Sequence, residues 1–467
     1  MATTAATSTP APRLPIGRGR PGAVDAGVGA APWLPSDGSV AWFRGNPSTL
    51  QPSDTKVIAR TMHAGIDAGV PIVGVLGQAG LGAHSGMASL FGWGEVARAL
   101  AGASGLVPTI LVVDGPCLGG PALLLGLADI VVMTAHAQAF VNAPGSSARI
   151  TGSAVLDADL IGGSWVHGSR TGVAHVVATD LDAALDVVAD LLDLLPANNH
   201  EAPHTTDADD PADRPSQIAA DAVPTGGRTS YDVRTVICDM VDDGSFIELR
   251  ARFGASVVTG LARIAGMPVG VLANQPSQLA GALDIESSQK GGGFVRLCDS
   301  FNLPLVTLVD TPGFRPGRDQ EWRGMIRHGA KLAFAYAEAT VPRVCVVLRK
   351  AYGGAYIVMD CKSMGNDCAL AWPTAEIAVM GAKGAVEILG RRELSAVPEG
   401  AEREARRAEL EAEYEATHLS PVAALERGFV DEVIDPVDTR RAVAGALVAL
   451  HAKRERLRPR RHDNIPL

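Results

Sequence analysis

Two glycine pairs are the residues in this chain whose type and spacing could do chemistry. Gly119-Gly120 lies in "VPTILVVDGPCLGGPALL" and Gly353-Gly354 in "VPRVCVVLRKAYGGAYIVM"; each closes an apolar, β-branched run and opens a stretch of small residues. Without a Cβ, glycine lets a ligand approach bare backbone N–H groups, which can then hold a developing negative charge. A plain turn would use the same pair, because glycine tolerates positive φ. The spacing argues for more: Pro108 to Gly119 is eleven positions, and Pro342 to Gly353 is again eleven.

Side-chain chemistry is thinly supplied. No G-x-S-x-G occurs, and in "GAHSG" Ser85 sits beside His84, where sequence neighbours rarely face one another. A P-loop and a strand-linked G-x-G-x-x-G are missing, which argues against nucleoside triphosphate and dinucleotide chemistry. Between Pro71 and Arg149 the only carboxylates are Glu95, Asp114 and Asp129, so the two acids that hydration of an enoyl thioester needs cannot be nominated. The 6 cysteines form no C-x-x-C pair, and no metal is expected. What remains is oxyanion stabilisation by backbone amides at two sites.

Around each glycine pair the pattern is strand, glycine loop, small-residue helix, strand, and the final strands read "DIVVM" and "EIAVM". Upstream lie two further apolar runs closed by glycine-bearing loops, "VPIVGVLGQAGLGAHSG" and "LPLVTLVDTPGFRPG". Such an internal repeat predicts an α/β fold in two copies, with the glycines at the carboxyl ends of parallel strands and a helix dipole behind each. The chain is expected to divide into a disordered leader over 1–35, a first domain over 36–195, a polar, Pro-rich linker over 196–230 and a second domain over 231–467. "DLDAALDVVADLLDLLP" and "EREARRAELEAEYEATHL" are expected as helices, the second with a solvated charged face.

A net charge of -10 argues against a nucleic-acid partner. The longest apolar stretches are broken by Pro and Asp, so no membrane span is expected. The scattered cysteines fit free thiols in the cytoplasm.

"RKAYGGAYIVM", "LAWPTAEIAVMGAKGAVEILGRREL", "DTPGFRPGRDQEWRGMIRHGAKLAFAYAEATVPRV" and the closing "RGFVDEVIDPVDTRRAVAGAL" and "HDNIPL" strongly resemble the carboxyltransferase (beta) subunits of biotin-dependent acyl-CoA carboxylases. The resemblance covers nearly all of Tyr231 to Leu467 and continues, more weakly, over about Trp42 to Leu195. It implies two tandem crotonase-like domains and transfer of a carboxyl group from carboxybiotin, held by the second domain, to the α-carbon of an acetyl- or propionyl-CoA, held by the first. By the resemblance, Gly354 and Ala355 supply the amides for the biotin ureido oxygen, Gly313 and Phe314 line the biotin pocket, and Gly119 and Gly120 hold the thioester oxygen. Released biotin would act as the base, so no side-chain base is required. Gly80 falls in the loop aligned with the family's acyl-CoA side. Ile357, after Tyr356, stands where propionyl-preferring relatives carry Asp and acetyl-accepting ones Ile.

The family also implies partners: a biotinylated alpha subunit bearing the biotin carboxylase and carrier, and further copies of this chain in a hexameric ring. Three departures cluster on the acyl-CoA side. "AGLG" lacks the family's arginine, "GGPAL" puts Pro121 where an amide N–H would be, and "RGNPSTLQPSD" replaces a glycine-rich segment. A biotin-dependent decarboxylase, a carboxyltransferase with a carrier-bound acceptor, and a non-catalytic scaffold subunit therefore stay open as alternatives, with hydratase or thioesterase activity behind them.

Overall fold

The computed structural model describes residues 24–36, 38–45, 51–77, 86–152, 157–225, 229–453, 455–461 and 464–465. The first half is built on a sheet of six strands: β1 (Val24–Gly29), β2 (Val40–Gly45), β3 (Ile72–Leu76), β4 (Thr109–Val113), β6 (Ile130–Thr134) and β8 (Val176–Ala178), in that spatial order. Beside it β5 (Pro116–Leu118) pairs with β7 (Gln138–Phe140). Every residue of β3, β4 and β6 is buried, as expected for parallel strands covered by helices on both faces.

The second half repeats this arrangement on a larger sheet, ordered β16 (Glu432–Val433), β14 (Cys368–Ala371), β13 (Arg343–Tyr352), β12 (Leu305–Thr311), β11 (Met267–Asn274), β10 (Val257–Ile264) and β9 (Ile247–Leu249). A further strand, β15 (Glu376–Ala378), pairs with the carboxyl end of β13. The strand expectations need one correction. "DIVVM" belongs to β6, which pairs with β4, and its counterpart is β14, which pairs with the first part of β13. "EIA" is β15, and its counterpart is β7, since both pair with the segment entering the glycine loop. Asp129 accepts hydrogen bonds from the Thr109 amide (2.8 Å) and hydroxyl (2.7 Å), and Asp367 accepts one from the Arg343 amide (2.9 Å), at matching places in the two copies. Both apolar runs look alike in sequence; which strand each pairs with is decided by register.

Two expected segment boundaries also shift. Residues 24–29, placed in the leader, form β1 against β2, and Ala31 and Leu34 are buried in the core. Between 196 and 230, where a linker was expected, the chain packs on the second half and forms the helix Gln217–Ala222. Arg440, fully buried, donates to Asp242 (2.6 Å) and to the carbonyls of Pro211 and Asp210, tying this stretch to the helix Thr439–Leu450. The polar composition is thus used in side-chain-to-backbone bonds that anchor it.

The helix Leu181–Leu194, expected from its periodicity and capped by Asp180, joins the halves. Its Val188 and Leu191 belong to one apolar cluster with Ile110 of β4 and with Leu261 and Phe294 of the second half. At its end Arg263 of β10 donates to the Asp193 carboxylate at 2.7 Å. The charged helix is present as Ala401–Tyr414, with no buried residue.

Candidate active site

Tyr352, the last residue of β13, is followed directly by the six-residue helix Gly353–Val358. The turn between them requires φ +56° at Gly353, and a Cβ there would lie 3.1 Å from the Val379 carbonyl, so glycine is needed for both conformation and space. Gly354 and Ala355 then occupy the first turn, where helix geometry leaves N–H groups without intrahelical acceptors. Ala355 and Val358 are buried beneath, and the backbone at Gly354 is exposed.

The loop after β12 comes up against this turn. Gly313 has φ +138°, its carbonyl accepts from the Leu283 amide (3.1 Å), and a Cβ on it would meet open space. The next side chain, Phe314, lies with ring atoms 3.6 Å from where a Gly354 Cβ would be and 3.2 Å from the same point on Gly329. The structure therefore brings Gly313, Phe314, Gly354 and Ala355 together. Tyr356 is half-buried, with its hydroxyl enclosed and without a hydrogen-bond partner among the described residues, and burial pushes its phenol pKa up. Ile357, on the outer side of the turn, is 47% exposed.

The basic pair before the glycines proves to be scaffolding. Arg349 and Asp310, at the ends of β13 and β12, form a buried ion pair with Nε to Oδ2 at 2.9 Å, and Arg349 stacks over the Tyr231 ring at 5.0 Å. The second Asp310 oxygen accepts from the Lys350 amide at 3.2 Å. This locks the two strand ends whose loops make the site. Asp310 was not singled out from sequence, although an acid closing an apolar strand just before Thr-Pro-Gly was a visible signal. Tyr352 adds a hydrogen bond to Glu376 of β15.

The first-half turn is built alike but offers fewer donors. Gly119 has φ +73°, and Gly120 opens the helix Gly120–Leu124 against Trp93, 3.1 Å from where its Cβ would be. Here the expectation for Gly119 is corrected: its N–H donates to the Phe140 carbonyl at 2.8 Å, extending the β5–β7 ladder, so that amide is taken. Pro121 has no N–H, and the Ala122 amide turns back to the Gly119 carbonyl at 3.1 Å. Of these positions Gly120 alone keeps an N–H with no hydrogen bond among the described residues. Gly80, with His84 and Ser85, lies outside the described residues. Among the described residues no group of acidic, His and Cys side chains is placed to hold a metal ion.

The carboxyl transferase domain family matches residues 45–465. The chain belongs to this family. It is 47% identical over 423 residues to the propionyl-CoA carboxylase beta chain of Saccharopolyspora erythraea, an overlap of 88% of this chain and 77% of that one. It is 43% identical over 419 residues to the methylmalonyl-CoA carboxyltransferase 12S subunit of Propionibacterium freudenreichii subsp. shermanii, covering 90% and 79% of the two chains. A crystal structure of the transcarboxylase 12S hexamer with methylmalonyl-CoA bound superposes with a TM-score of 0.90 at 39% identity, over 95% of this chain and 85% of that one. The tandem crotonase-like α/β fold expected from the sequence is the fold of this carboxyltransferase. No helix among the described residues is long and apolar enough to cross a membrane.

Proposed function

We propose that the chain is the carboxyltransferase subunit of a biotin-dependent acyl-CoA carboxylase, acting in the cytoplasm on a short acyl-CoA. The observation that carries this reading is the open first turn at Gly354 and Ala355, backed by Phe314 and facing the space beside Gly313. Carboxybiotin, delivered by the carrier of a biotinylated alpha subunit, is the co-substrate that supplies the carboxyl group and, once relieved of it, a base. Gly354 and Ala355 N–H groups hold the ureido oxygen, and Phe314 packs against the ring system. Gly120 N–H holds the thioester oxygen as charge develops there on loss of the α-proton. Loss of one such preorganised donor typically costs a factor of about 100–1,000 in rate.

The pocket side chain after Tyr356 sets acyl preference, and Ile357 gives an apolar wall suited to acetyl as well as propionyl groups. A methylene in such a pocket is worth about 1–3 kcal/mol. We place the chain in a homo-hexamer in which the first half of one copy faces the second half of another. The tied amide at Gly119 and the missing one at Pro121 favour, as a second reading, an acceptor held differently from a free acyl-CoA, such as a carrier-bound thioester.

The test is transfer of labelled bicarbonate by the chain reconstituted with a biotinylated alpha subunit and ATP, across acetyl-, propionyl- and butyryl-CoA. Labelled malonyl- or methylmalonyl-CoA supports the main reading, and label appearing only on a carrier-bound thioester moves the function to the second. A complex that forms but transfers no label to either acceptor overturns both.

A further inference from the structure

Away from the glycine turns, where the two halves of the chain meet, a half-open cavity of about 430 Å³ is lined by residues of both. Ser104 and Asp129 contribute from the first half, and Arg250, Lys290, Arg296 and Ser300 from the second. The halves touch at its edge: a Cβ on Gly105 would lie 3.9 Å from the Ser300 hydroxyl.

Arg250 is the unusual residue. It follows β9 in a left-handed conformation, φ +55°, fixed by its amide donating to the His175 carbonyl at 2.7 Å and by its carbonyl accepting from Lys290 Nζ at 2.9 Å. These backbone bonds set where its side chain goes. Among the described residues no carboxylate pairs with its guanidinium, and Nε is enclosed without an acceptor. Burial alone pulls its pKa down to about 10, which still leaves it charged. The residue is half-buried: Nε is cut off from water with nothing to replace it, while the outer nitrogens stay open to the cavity, where an anion can meet them.

Arg296 adds positive charge nearby, and Lys290, whose pKa burial pulls down to about 7, adds part of one. Lys290, only 1% exposed, spends two donors on the Arg250 and Val257 carbonyls, and Arg296 stands at the rim. Glu248, the nearest acid on the same segment, is occupied by a two-pronged pair with Arg234, both bonds 2.7 Å. The acid in the wall, Asp129, is satisfied by the Thr109 amide and hydroxyl. Gly293 keeps a side chain out of the space next to Arg250 Nη1, 3.7 Å from where its Cβ would be.

We propose that this inter-half cavity is a binding site for a small dianionic oxyanion, a phosphate or a dicarboxylate, clamped by the Arg250 guanidinium with Arg296 closing the entrance. A planar fork of N–H donors matches two oxygens of either group. The space of about 430 Å³ is several times the size of such an anion, which would sit at the Arg250 end with water filling the rest. An anion bridging the two halves stabilises their relative position, so its binding raises the stability of the full chain by mass action.

Thermal unfolding of the full chain in inorganic phosphate, in malonate and in sodium chloride at matched ionic strength tests this. A rise in Tm that saturates at millimolar phosphate or malonate, beyond the chloride control, is expected, and the anion that produces it identifies the source. Arg250→Gln abolishes the rise, and Arg296→Gln raises the half-saturating concentration several-fold. Arg250→Lys, which keeps a charge, retains part of the rise and guards against a folding defect in the glutamine variant; both variants must keep the wild-type Tm in chloride within a few degrees. No rise over chloride, or an equal rise in Arg250→Gln, overturns the proposal.

Discussion

Arg349 Nε donates to Asp310 Oδ2 across 2.9 Å with both side chains buried, joining the carboxyl ends of the two strands that launch the Phe314 loop and the Gly354 turn. A buried pair of this kind sets geometry more than it adds stability, but breaking it strands a charge. Asp310→Ala is expected to destabilise the chain by about 3–5 kcal/mol, seen as a lower urea midpoint with an unchanged slope. A loss under about 1 kcal/mol would mean that Arg349, which also donates to the Thr229 carbonyl at 2.8 Å, is held well enough by backbone alone.

Gly354 offers a cleaner separation of folding from chemistry. Its φ is not in the left-handed region, and a Cβ would make an ordinary 3.6 Å contact with Phe314. Gly354→Ala should therefore leave Tm within a few degrees of wild type. If the ureido oxygen is held at this turn, the added methyl crowds it, and carboxyl transfer should fall about 100-fold or more, the order of losing one oxyanion donor. Unchanged transfer in a well-folded Gly354→Ala protein would remove the turn from the reaction.

The duplicated unit is legible in the amino-acid sequence itself: the two Pro-to-Gly-Gly segments are equally spaced because both strands and turns obey the same geometry. Pairing is what the sequence conceals. "EIAVM" and "DIVVM" are alike in composition, and only the ladders β13–β15 and β4–β6 show that they stand in different places. Gly119 misleads for a related reason. A glycine at φ +73° could point its amide at a ligand or at a neighbouring strand, and the choice rests on Phe140, 21 residues further on. Polar residues such as Asp210 and Arg214 suggest a free linker; they are polar because they bond backbone and one another in a packed segment.

Pro121 gives a prediction in the opposite direction. It follows Gly120 in the first turn of its helix, in the position that Ala355 holds after Gly354, and it removes an N–H from that turn. Pro121→Ala restores a donor at a place where the backbone is already helical. If the thioester oxygen sits against this turn, kcat/KM for the acyl-CoA should rise, by up to the factor of about 100–1,000 that one preorganised oxyanion donor is worth. A fall in kcat/KM, with folding intact, would place the thioester oxygen elsewhere and favour the carrier-bound acceptor.

His175 makes the stability of the chain depend on pH. It is buried at the junction of the halves, its Nδ1 accepts from the Val131 amide at 3.1 Å, and burial first, then the nearby Arg250 charge, lowers its pKa well below the usual value. The folded chain therefore keeps His175 neutral, whereas the unfolded chain protonates it near pH 6.5. Below that pH the unfolded state binds the extra proton, so stability falls as pH drops, by at most about 1.4 kcal/mol per unit from this one group. His175→Asn retains an acceptor near the Val131 amide and cannot take up the proton. Measured by urea unfolding at pH 7.5, 6.0 and 5.0, the wild-type advantage over His175→Asn should shrink as the pH falls. A constant difference across that range would mean that His175 is protonated in the fold, and that the Arg250 charge beside it is already neutralised by a bound anion.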